Sequence, residues 1–300
     1  MAELEVLKVD TFTDELFSGN PTAVVFDADG LDDVQMQRVA MEVGLRSTVF
    51  VLKSKKADIR LRFFMPACEM PVCGHATLGA LWSLVERGTL GGVLGGRHRV
   101  ETPVGVFPFW VEERPEVANR IWITQKKPLF ARVEDLKEVA SALGIGVDSM
   151  FHEEFPLCRA STGLPTLLVP VRSLGLVGRL DPRPKELAEL AQELEVDAVS
   201  VYSWEVLDHE STLHSRCYGL MPEVYEDPAS AMPAGALGAY IAENDFVGRD
   251  VMDGIVVEQG HWMGRESRII VRIEKRGPSI RKVEVGGSAV ISMRGRMSVP

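Results

Sequence analysis

The sequence predicts an α+β protein made of two similar lobes, each with strands around a buried central helix. Strand-like segments rich in β-branched residues dominate the 300-residue chain, and helix-like segments are few. Two largely apolar helical segments, 75–88 and 233–244, each follow a similar block of sequence. The composition, 46% hydrophobic and 25% charged, is that of a globular protein with a sizeable core.

Two blocks of sequence recur in the same order. Residues 19–25 (GNPTAVV) are echoed by residues 163–169 (GLPTLLV). The block from Met65-Pro66 to His75 is echoed by the block from Met221-Pro222 to Met232, with one extra residue in the second copy. Because both matches keep their order, they favour a duplicated architecture over chance.

The first elements are read from side-chain patterns. Residues 4–11 and 22–27 are β-branched and are separated by the turn-forming sequence SGNP, which predicts two strands. Residues 31–43 place apolar side chains at helical spacing behind acidic first-turn residues, which predicts a helix. Segments 47–52 and 58–66 predict two further strands.

An apolar helix is predicted after Gly74, at 75–88, and Gly88 ends it. Its apolar residues cover most of its surface, so it is expected to be buried on most sides. The later elements follow from the same patterns, and they are a strand at 104–113, a helix at 133–143, a strand at 166–171, a helix at 184–195 and the apolar helix at 233–244.

Charge and composition exclude several partners. The net charge of −10, without a basic block, argues against nucleic acid or an anionic membrane surface. No apolar run has the length of a membrane span, and the acidic N-terminal sequence is unlike a signal peptide. The cysteines are too few and scattered for a disulfide framework or a zinc site, and they are expected to be thiols in a reducing cytoplasm: Cys68, Cys73, Cys158 and Cys217.

Acid and base side chains precede both apolar helices. Glu69, Cys73 and His75 come before the first helix, and Asp227 and Ser230 come before the second. Helix N-termini facing one cleft would bind a carboxylate and stabilise charge that spreads onto it from a deprotonated α-carbon. The arrangement predicts cofactor-free proton transfer on a small anionic substrate.

Ordinary structural roles are open to the same residues. His75 and Ser230 suit helix capping, Cys73 suits a small buried position, and Asp227 before a proline suits an Asx turn. Their occurrence at matching places in two related blocks favours function. We therefore predict that His75 and Asp227 lie across one cleft.

Several segments resemble the PhzF-like phenazine-biosynthesis family, in the same order and over nearly the whole chain. CGHAT, which follows a Pro-x-x-Glu-x-Pro stretch, is the most specific of them. The segments are VDTFTDELFSGNPTAVV, MQRVAMEVG, RFFMPACEMPVCGHATLGA, YGLMPEVYEDPAS, QGHWMGRESRIIVRIE and VEVGGSAVI.

The resemblance implies a diaminopimelate-epimerase-like fold of two pseudo-symmetric lobes, with the active site between them. We place the lobes at 1–118 and 119–285, with 286–300 returning as a strand to the first lobe. It also implies a homodimer, no metal and no organic cofactor.

The family's site residues carry over unevenly. His75 matches the histidine after Cys-Gly, and Asp227 matches the aspartate of the second block. The family's proton-carrying glutamate falls at Ser47, which has no carboxylate, and Arg46 replaces the serine before it. The candidate catalytic residues are therefore Asp227, His75 and Ser47, and little or no activity is expected in the phenazine reaction itself.

The second block also departs from the family, because Thr-Gly-Ser/Asn-Ala becomes Ser-Ala-Met-Pro at 230–233. Pro233 has no N–H, which suits the first position of a helix but removes an anion donor. The bulkier Ala231 and Met232 are expected to narrow the space for the substrate. The candidate substrate-binding residues are Arg46, Cys73, Gly74, Ser230, Ala231 and Met232.

Three functions fit this sequence. The first is a PhzF-like isomerase with an altered substrate in secondary metabolism, with Arg46 as a carboxylate anchor. The second is an epimerase or one-base dehydratase, in which Cys73 and Ser230 occupy the places of the two cysteines of the fold relatives. The third is a homologue that has lost catalysis and binds a small molecule.

Overall fold

The chain forms two compact units. The computed structural model describes residues 2–89, 96–114, 117–220, 223–248 and 251–299. Unit 1 consists of Met1–Thr124 with Gly286–Pro300, and unit 2 consists of Gln125–Val285. Unit 1 reaches Thr124 rather than ending at residue 118, because Arg120–Thr124 forms a strand that pairs with the strand before it.

Strands outnumber helices in the described residues of both units. The elements up to the end of unit 1's first segment are β1 (Ala2–Thr11), β2 (Asn20–Val25), α1 (Asp33–Val43), β3 (Thr48–Leu52), β4 (Ile59–Phe64), β5 (Glu69–Met70), α2 (Gly74–Glu86), β6 (Arg97–Thr102), β7 (Gly105–Glu112) and β8 (Arg120–Thr124). The elements that follow are β9 (Leu129–Arg132), α3 (Leu136–Ala142), β10 (Cys158–Ser161), β11 (Pro165–Pro170), α4 (Leu174–Gly178), α5 (Pro184–Leu194), β12 (Ala198–Ser203), β13 (Leu213–Gly219), β14 (Tyr225–Asp227), α6 (Ala231–Glu243), β15 (Ile255–Gln259), β16 (Ser267–Arg276), β17 (Ser279–Gly287) and β18 (Ala289–Val299).

The two units repeat one sequence of strand pairings. In unit 1, β1–β2 and β3–β4 are antiparallel, β2–β3 is parallel, β4–β5 is antiparallel and β4–β6 is parallel. In unit 2, β10–β11 and β12–β13 are antiparallel, β11–β12 is parallel, β13–β14 is antiparallel and β13–β15 is parallel. The predicted duplication is confirmed, although Met221 and Pro222 of the second block lie outside the described residues.

An ion pair is repeated at corresponding places. Arg62 of β4 donates to both carboxylate oxygens of Glu69 in β5, at 2.8 and 2.7 Å. Arg216 of β13 donates in the same bidentate way to Glu226 of β14, at 2.9 and 2.7 Å. Bidentate pairing fixes the geometry of both partners. It therefore holds each short strand against its neighbour, just before the central helix of its unit.

Each unit has a central helix against which its strands pack. The helix α2 contacts β1, β2, β3, β8 and β18, and α6 contacts β10, β11, β12 and β16. Gly79 lets α2 lie close to β2, because a Cβ there would be 2.8 Å from the Thr22 methyl group. The predicted α+β class, with strands around central helices, is confirmed.

The peripheral helix α1 has local signals at both of its ends. At the start of α1, the Asp32 carboxylate accepts from the Gln35 amide, and the Gln35 side chain accepts from the Asp32 amide. Gly44 follows α1 with φ 69°, a conformation that favours glycine. None of the helices in the described ranges combines the length and apolar character needed to cross a bilayer.

Candidate functional site

A thiol–imidazole cluster, made of Thr22, Ser47, Cys73 and His75, lies in unit 1. Thr22 is in β2, and Ser47 is the residue before β3. The parallel pairing of β2 with β3 brings them together, and the Ala23 amide donates to the Ser47 carbonyl at 3.0 Å. Cys73 and His75 arrive on α2, as its N-cap residue and in its first turn.

The hydrogen bonds of this cluster form a chain. Ser47 Oγ lies 2.8 Å from Thr22 Oγ1 and 2.7 Å from His75 Nε2, and the Thr22 hydroxyl donates to the Ser47 carbonyl at 3.2 Å. Cys73 Sγ lies 3.5 Å from His75 Nδ1 and 3.8 Å from Nε2. Burial lowers the pKa of His75 from 6.5 to about 4, so the ring is neutral near pH 7. A neutral imidazole beside a thiol is able to exchange protons with it.

Other predicted residues of unit 1 border this cluster. Arg46 precedes Ser47 and is partly exposed, whereas Gly74 is the first residue of α2. Cys73 makes no side-chain capping hydrogen bond to the first turn of α2. The orphan amides at that helix end are therefore not satisfied by their N-cap side chain, which suits an anion there.

A carboxylate cluster, made of Asp227, Ser230 and Gln259, lies in unit 2. Asp227 ends β14, and Ser230 is the N-cap residue of α6. The Ser230 hydroxyl donates to Asp227 Oδ2 at 2.5 Å instead of capping the helix. The buried Gln259 amide donates to the Asp227 carbonyl at 2.5 Å and to Ser230 Oγ at 3.3 Å. These contacts fix the position of the Asp227 carboxylate group.

The start of α6 differs from the prediction. The helix begins at Ala231, so Pro233 is its third residue rather than its first. A proline is tolerated there because the first four amides of a helix have no partner within it. The carbonyl of Ala231 accepts from Gln125 Nε2 at 2.9 Å, and that of Met232 accepts from Thr162 Oγ1 at 3.3 Å.

The predicted residues thus form one cluster in each unit. Ser47, Cys73 and His75 are in contact in unit 1, and Asp227 and Ser230 are in contact in unit 2. The shared cleft of His75 and Asp227 stays a prediction. In the described parts of the chain, no group of three or more His, Cys, Asp or Glu side chains is arranged to hold a metal ion.

Sequence reasoning missed Thr22 and Gln259 as members of these clusters. Both lie inside segments that carry the family resemblance, GNPTAVV for Thr22 and QGHWMGRES for Gln259. A polar residue in an otherwise apolar strand was the available signal for Thr22. Their contacts depend on strand pairing and on distant loops, which no local pattern reveals.

Comparisons with known proteins agree on one relationship. The profile of the family described as "Phenazine biosynthesis-like protein" matches residues 9–295. The uncharacterized isomerase YfhB of Bacillus subtilis (strain 168) is 34% identical over 296 residues, covering 97% of this chain and 98% of that protein.

Solved structures extend the comparison. The crystal structure of a PhzF-family phenazine biosynthesis protein from Bacillus anthracis is similar with a TM-score of 0.89, 30% identity and full coverage of both chains. A hydroxyproline epimerase from Agrobacterium vitis, with bound trans-4-hydroxy-L-proline, has a TM-score of 0.66 at 15% identity and covers 99% of this chain and 91% of its own. At that identity the second likeness shows the fold alone.

Proposed function

The chain belongs to the family of phenazine biosynthesis-like proteins, and from this membership we propose that it is an isomerase that moves a proton on a small carboxylate-bearing substrate. It does so with its own side chains and without a cofactor. The thiol–imidazole cluster is the observation that carries the proposal. It holds a neutral ring nitrogen 3.5 Å from a thiol at the start of a central helix.

The thiol–imidazole cluster supplies one acid/base couple. His75 is neutral near pH 7, so Nδ1 is able to accept a proton, and the Cys73 thiol is able to give one. The amides in the first turn of α2 offer donors for the substrate carboxylate, where negative charge gathers when an adjacent C–H bond breaks. Arg46 is the proposed second anchor for that carboxylate.

The carboxylate cluster supplies the second couple in this proposal. Asp227, held by Ser230 and Gln259, gives or takes the proton at the other end of the transfer. The α6 start lacks one amide, because Pro233 is its third residue, so we assign carboxylate binding mainly to α2. We further propose that the enzyme acts in secondary metabolism as a cytoplasmic homodimer.

The experiment is solvent-deuterium incorporation, followed by mass spectrometry, over a panel of amino acids, cyclic amino acids and unsaturated carboxylates. We expect at least one compound to gain deuterium at an α or allylic carbon. Asp227→Asn and His75→Gln should each cut that rate by roughly a hundredfold or more, the scale of a lost general acid or base.

Matched controls are available in the chain. His209 has a side chain that is 96% exposed, so His209→Gln should leave exchange unchanged. Cys68 is an exposed thiol, so Cys68→Ser is the control for Cys73→Ser. A compound that stabilises the protein against heat but gains no deuterium would favour the homologue without catalysis. Equal deuterium-exchange rates in wild type and Asp227→Asn would show that Asp227 has only a structural role.

One observation favours epimerase or dehydratase chemistry as a second candidate. Cys73 and Ser230 are the N-cap residues of the two central helices, and neither caps its helix. A thiol and a hydroxyl at corresponding places suit a one-base route better than symmetric inversion, because the hydroxyl is the far weaker acid. Loss of exchange in both Cys73→Ser and Ser230→Ala, with Asp227→Asn still active, would select this candidate.

A further inference from the structure

Ser47 and Thr22 form a buried hydroxyl pair next to His75. Both side chains are fully buried. Ser47 Oγ has two polar neighbours, Thr22 Oγ1 at 2.8 Å and His75 Nε2 at 2.7 Å. Each hydroxyl has only one hydrogen to donate, so the direction of each bond constrains the next.

The Ser47 carbonyl sets the direction of the chain, because a carbonyl oxygen only accepts. It takes the hydrogen of the Thr22 hydroxyl at 3.2 Å. Thr22 Oγ1 then acts as the acceptor of the Ser47 hydroxyl. Ser47 Oγ, having given its hydrogen to Thr22, accepts from His75, and Nε2 must carry the ring proton. Nδ1 is left with the basic lone pair of the ring, and Cys73 Sγ lies 3.5 Å from Nδ1 and 3.8 Å from Nε2.

The opposite assignment is poorer. If the Ser47 hydroxyl donated to Nε2, the proton of the neutral ring would be on Nδ1. The Cys73 sulfur, which is 3.5 Å from Nδ1 and 3.8 Å from Nε2, would lie off the axis of that N–H, and sulfur is a weak acceptor. In the first assignment the two hydroxyl hydrogens and the ring proton are all donated to oxygen atoms. The first assignment is therefore favoured.

We infer that Ser47 and Thr22 are positioning residues that hold His75 as its Nε2–H tautomer and reserve Nδ1 for proton exchange with Cys73. In that exchange the S–H bond breaks, an Nδ1–H bond forms and the electron pair stays on sulfur, and the reverse step restores the thiol. The catalytic part of this inference rests on the proposed function, whereas the tautomer does not.

Ser47 thus has a different task from that of the proton-carrying glutamate which the family resemblance places at this position. Ser47 does not carry the proton, and it orients the ring that does. A serine suits this because its hydroxyl gives its hydrogen to Thr22 while accepting one from the ring.

The test is nitrogen NMR of the full-length protein with ¹⁵N-labelled histidine, since the shift of each ring nitrogen reports whether it is protonated. The His75 signals are those that vanish in His75→Gln. We expect protonated Nε2 and bare Nδ1 in the wild type. In Thr22→Val the Ser47 hydroxyl loses its acceptor, turns to the ring and donates, so the proton should move to Nδ1. Thr22→Ser keeps the hydroxyl and should keep the wild-type pattern.

The outcomes separate the inference from the proposed function. Protonated Nδ1 in the wild type, or an unchanged pattern in Thr22→Val, would overturn the inference whether or not the enzyme is active. If Thr22→Val does not fold, Ser47→Ala serves in its place, and there Nε2 loses its acceptor and the two tautomers should mix. A wild-type spectrum as expected without any deuterium exchange would leave the inference standing and count against the proposed function.

Discussion

At the scale of single residues, the surroundings of His75 decide its chemistry. Burial lowers its pKa to about 4. The ring is therefore unprotonated at neutral pH and able to accept a proton, but it is a weak base. A bound carboxylate beside the ring would raise that pKa, because a nearby negative charge favours the imidazolium form. Substrate binding would therefore make His75 a stronger base, and it would do so only while a substrate with a removable proton is bound.

This coupling predicts two different pH profiles. His75 must be unprotonated to accept a proton, so activity falls as pH drops through its pKa. For kcat/KM, which reports the free enzyme, the fall is expected near pH 4. For kcat, which reports the complex, it is expected at higher pH. Exchange rates over a pH series check this, with circular dichroism to show that the fold persists. A fall of kcat/KM near 6.5, the ordinary value, would contradict it.

Ser47 leads to a prediction about the phenazine reaction. We expect little or no activity on the dihydro-hydroxyanthranilate precursor, because a hydroxyl does not serve as a carboxylate base. Ser47→Glu alone should not restore it. The buried Ser47 Oγ lies between two polar atoms at 2.8 and 2.7 Å, so a longer charged side chain would be overpacked and would lose hydration.

Three proteins test this in deuterated buffer: wild type, Ser47→Glu, and Ser47→Glu combined with Ala231→Gly, Met232→Ser and Pro233→Ala. Rapid isomerisation by the wild type would mean that another group replaces the family glutamate. Rescue by Ser47→Glu alone would mean that the changes at the start of α6 are neutral.

At the scale of elements, strong local patterns were sufficient for some segments and absent for others. Apolar spacing behind acidic first-turn residues predicted α1, and an apolar run predicted α2 and α6. The two- and three-residue strands β5 and β14 are too short to show a period. Ser47 was found only through the family resemblance, and its contact with His75 arises from β2–β3 pairing and the seating of α2.

Glu258 of β15 is expected to be a stability element of unit 2. It is buried, and it accepts from His214 Nδ1 at 2.6 Å and from the amides of Leu207 and Asp208 at 2.6 and 3.0 Å. Burial alone would raise its pKa, but these three hydrogen bonds outweigh burial and lower it to about 2. The stabilisation is therefore complete above about pH 4.5 and is lost as pH falls toward 2.

Glu258→Gln should lower the free energy of unfolding by about 1.5–3 kcal/mol at pH 7, the scale of hydrogen bonds to a charged group. Urea titrations at pH 7 and at acidic pH measure this, and the difference from wild type should shrink in acid. Glu101 is the matched control. In the strand register it lies opposite Arg60 of β4, as Glu258 lies opposite His214 of β13, but it is less buried and accepts a hydrogen bond from Ser54 Oγ. An equal loss in Glu101→Gln would show that burial is not the cause.

At the scale of the whole molecule, unit 1 is assembled from both ends of the chain. The strand β18 pairs with β1 over its length, from Ala2 opposite Val299 to Thr11 opposite Ala289. Unit 2 is continuous, from Gln125 to Val285. The repeat blocks predicted two similar units. The repeated sequence blocks do not include β1 or β18. They therefore do not predict the β1–β18 register or its shift between Lys8 and Val9.

Truncation after Val285 is predicted to damage unit 1 selectively. It removes one of the two partner strands of β1, and the amides that paired with β18 lose their acceptors. Hydrogen exchange followed by mass spectrometry should show lost protection in β1, whereas β12 of unit 2 serves as the internal reference. Unchanged protection of β1 would contradict the dependence of unit 1 on the C-terminal segment.

The pairing of β1 with β18 also determines when unit 1 is able to fold during synthesis. A ribosome that adds about 5–20 residues per second needs roughly ten to thirty seconds to pass from Thr124 to Gly286. Throughout that interval β1 has left the exit tunnel or is leaving it, and β18 has not been made. Most of unit 2 is made as one continuous segment before β18, whereas unit 1 is completed only after β18 has been made and has left the tunnel. Until then, the edge of β1 that pairs with β18 is unpaired. An unpaired strand edge is a site of aggregation, and a chaperone bound to β1 would prevent it.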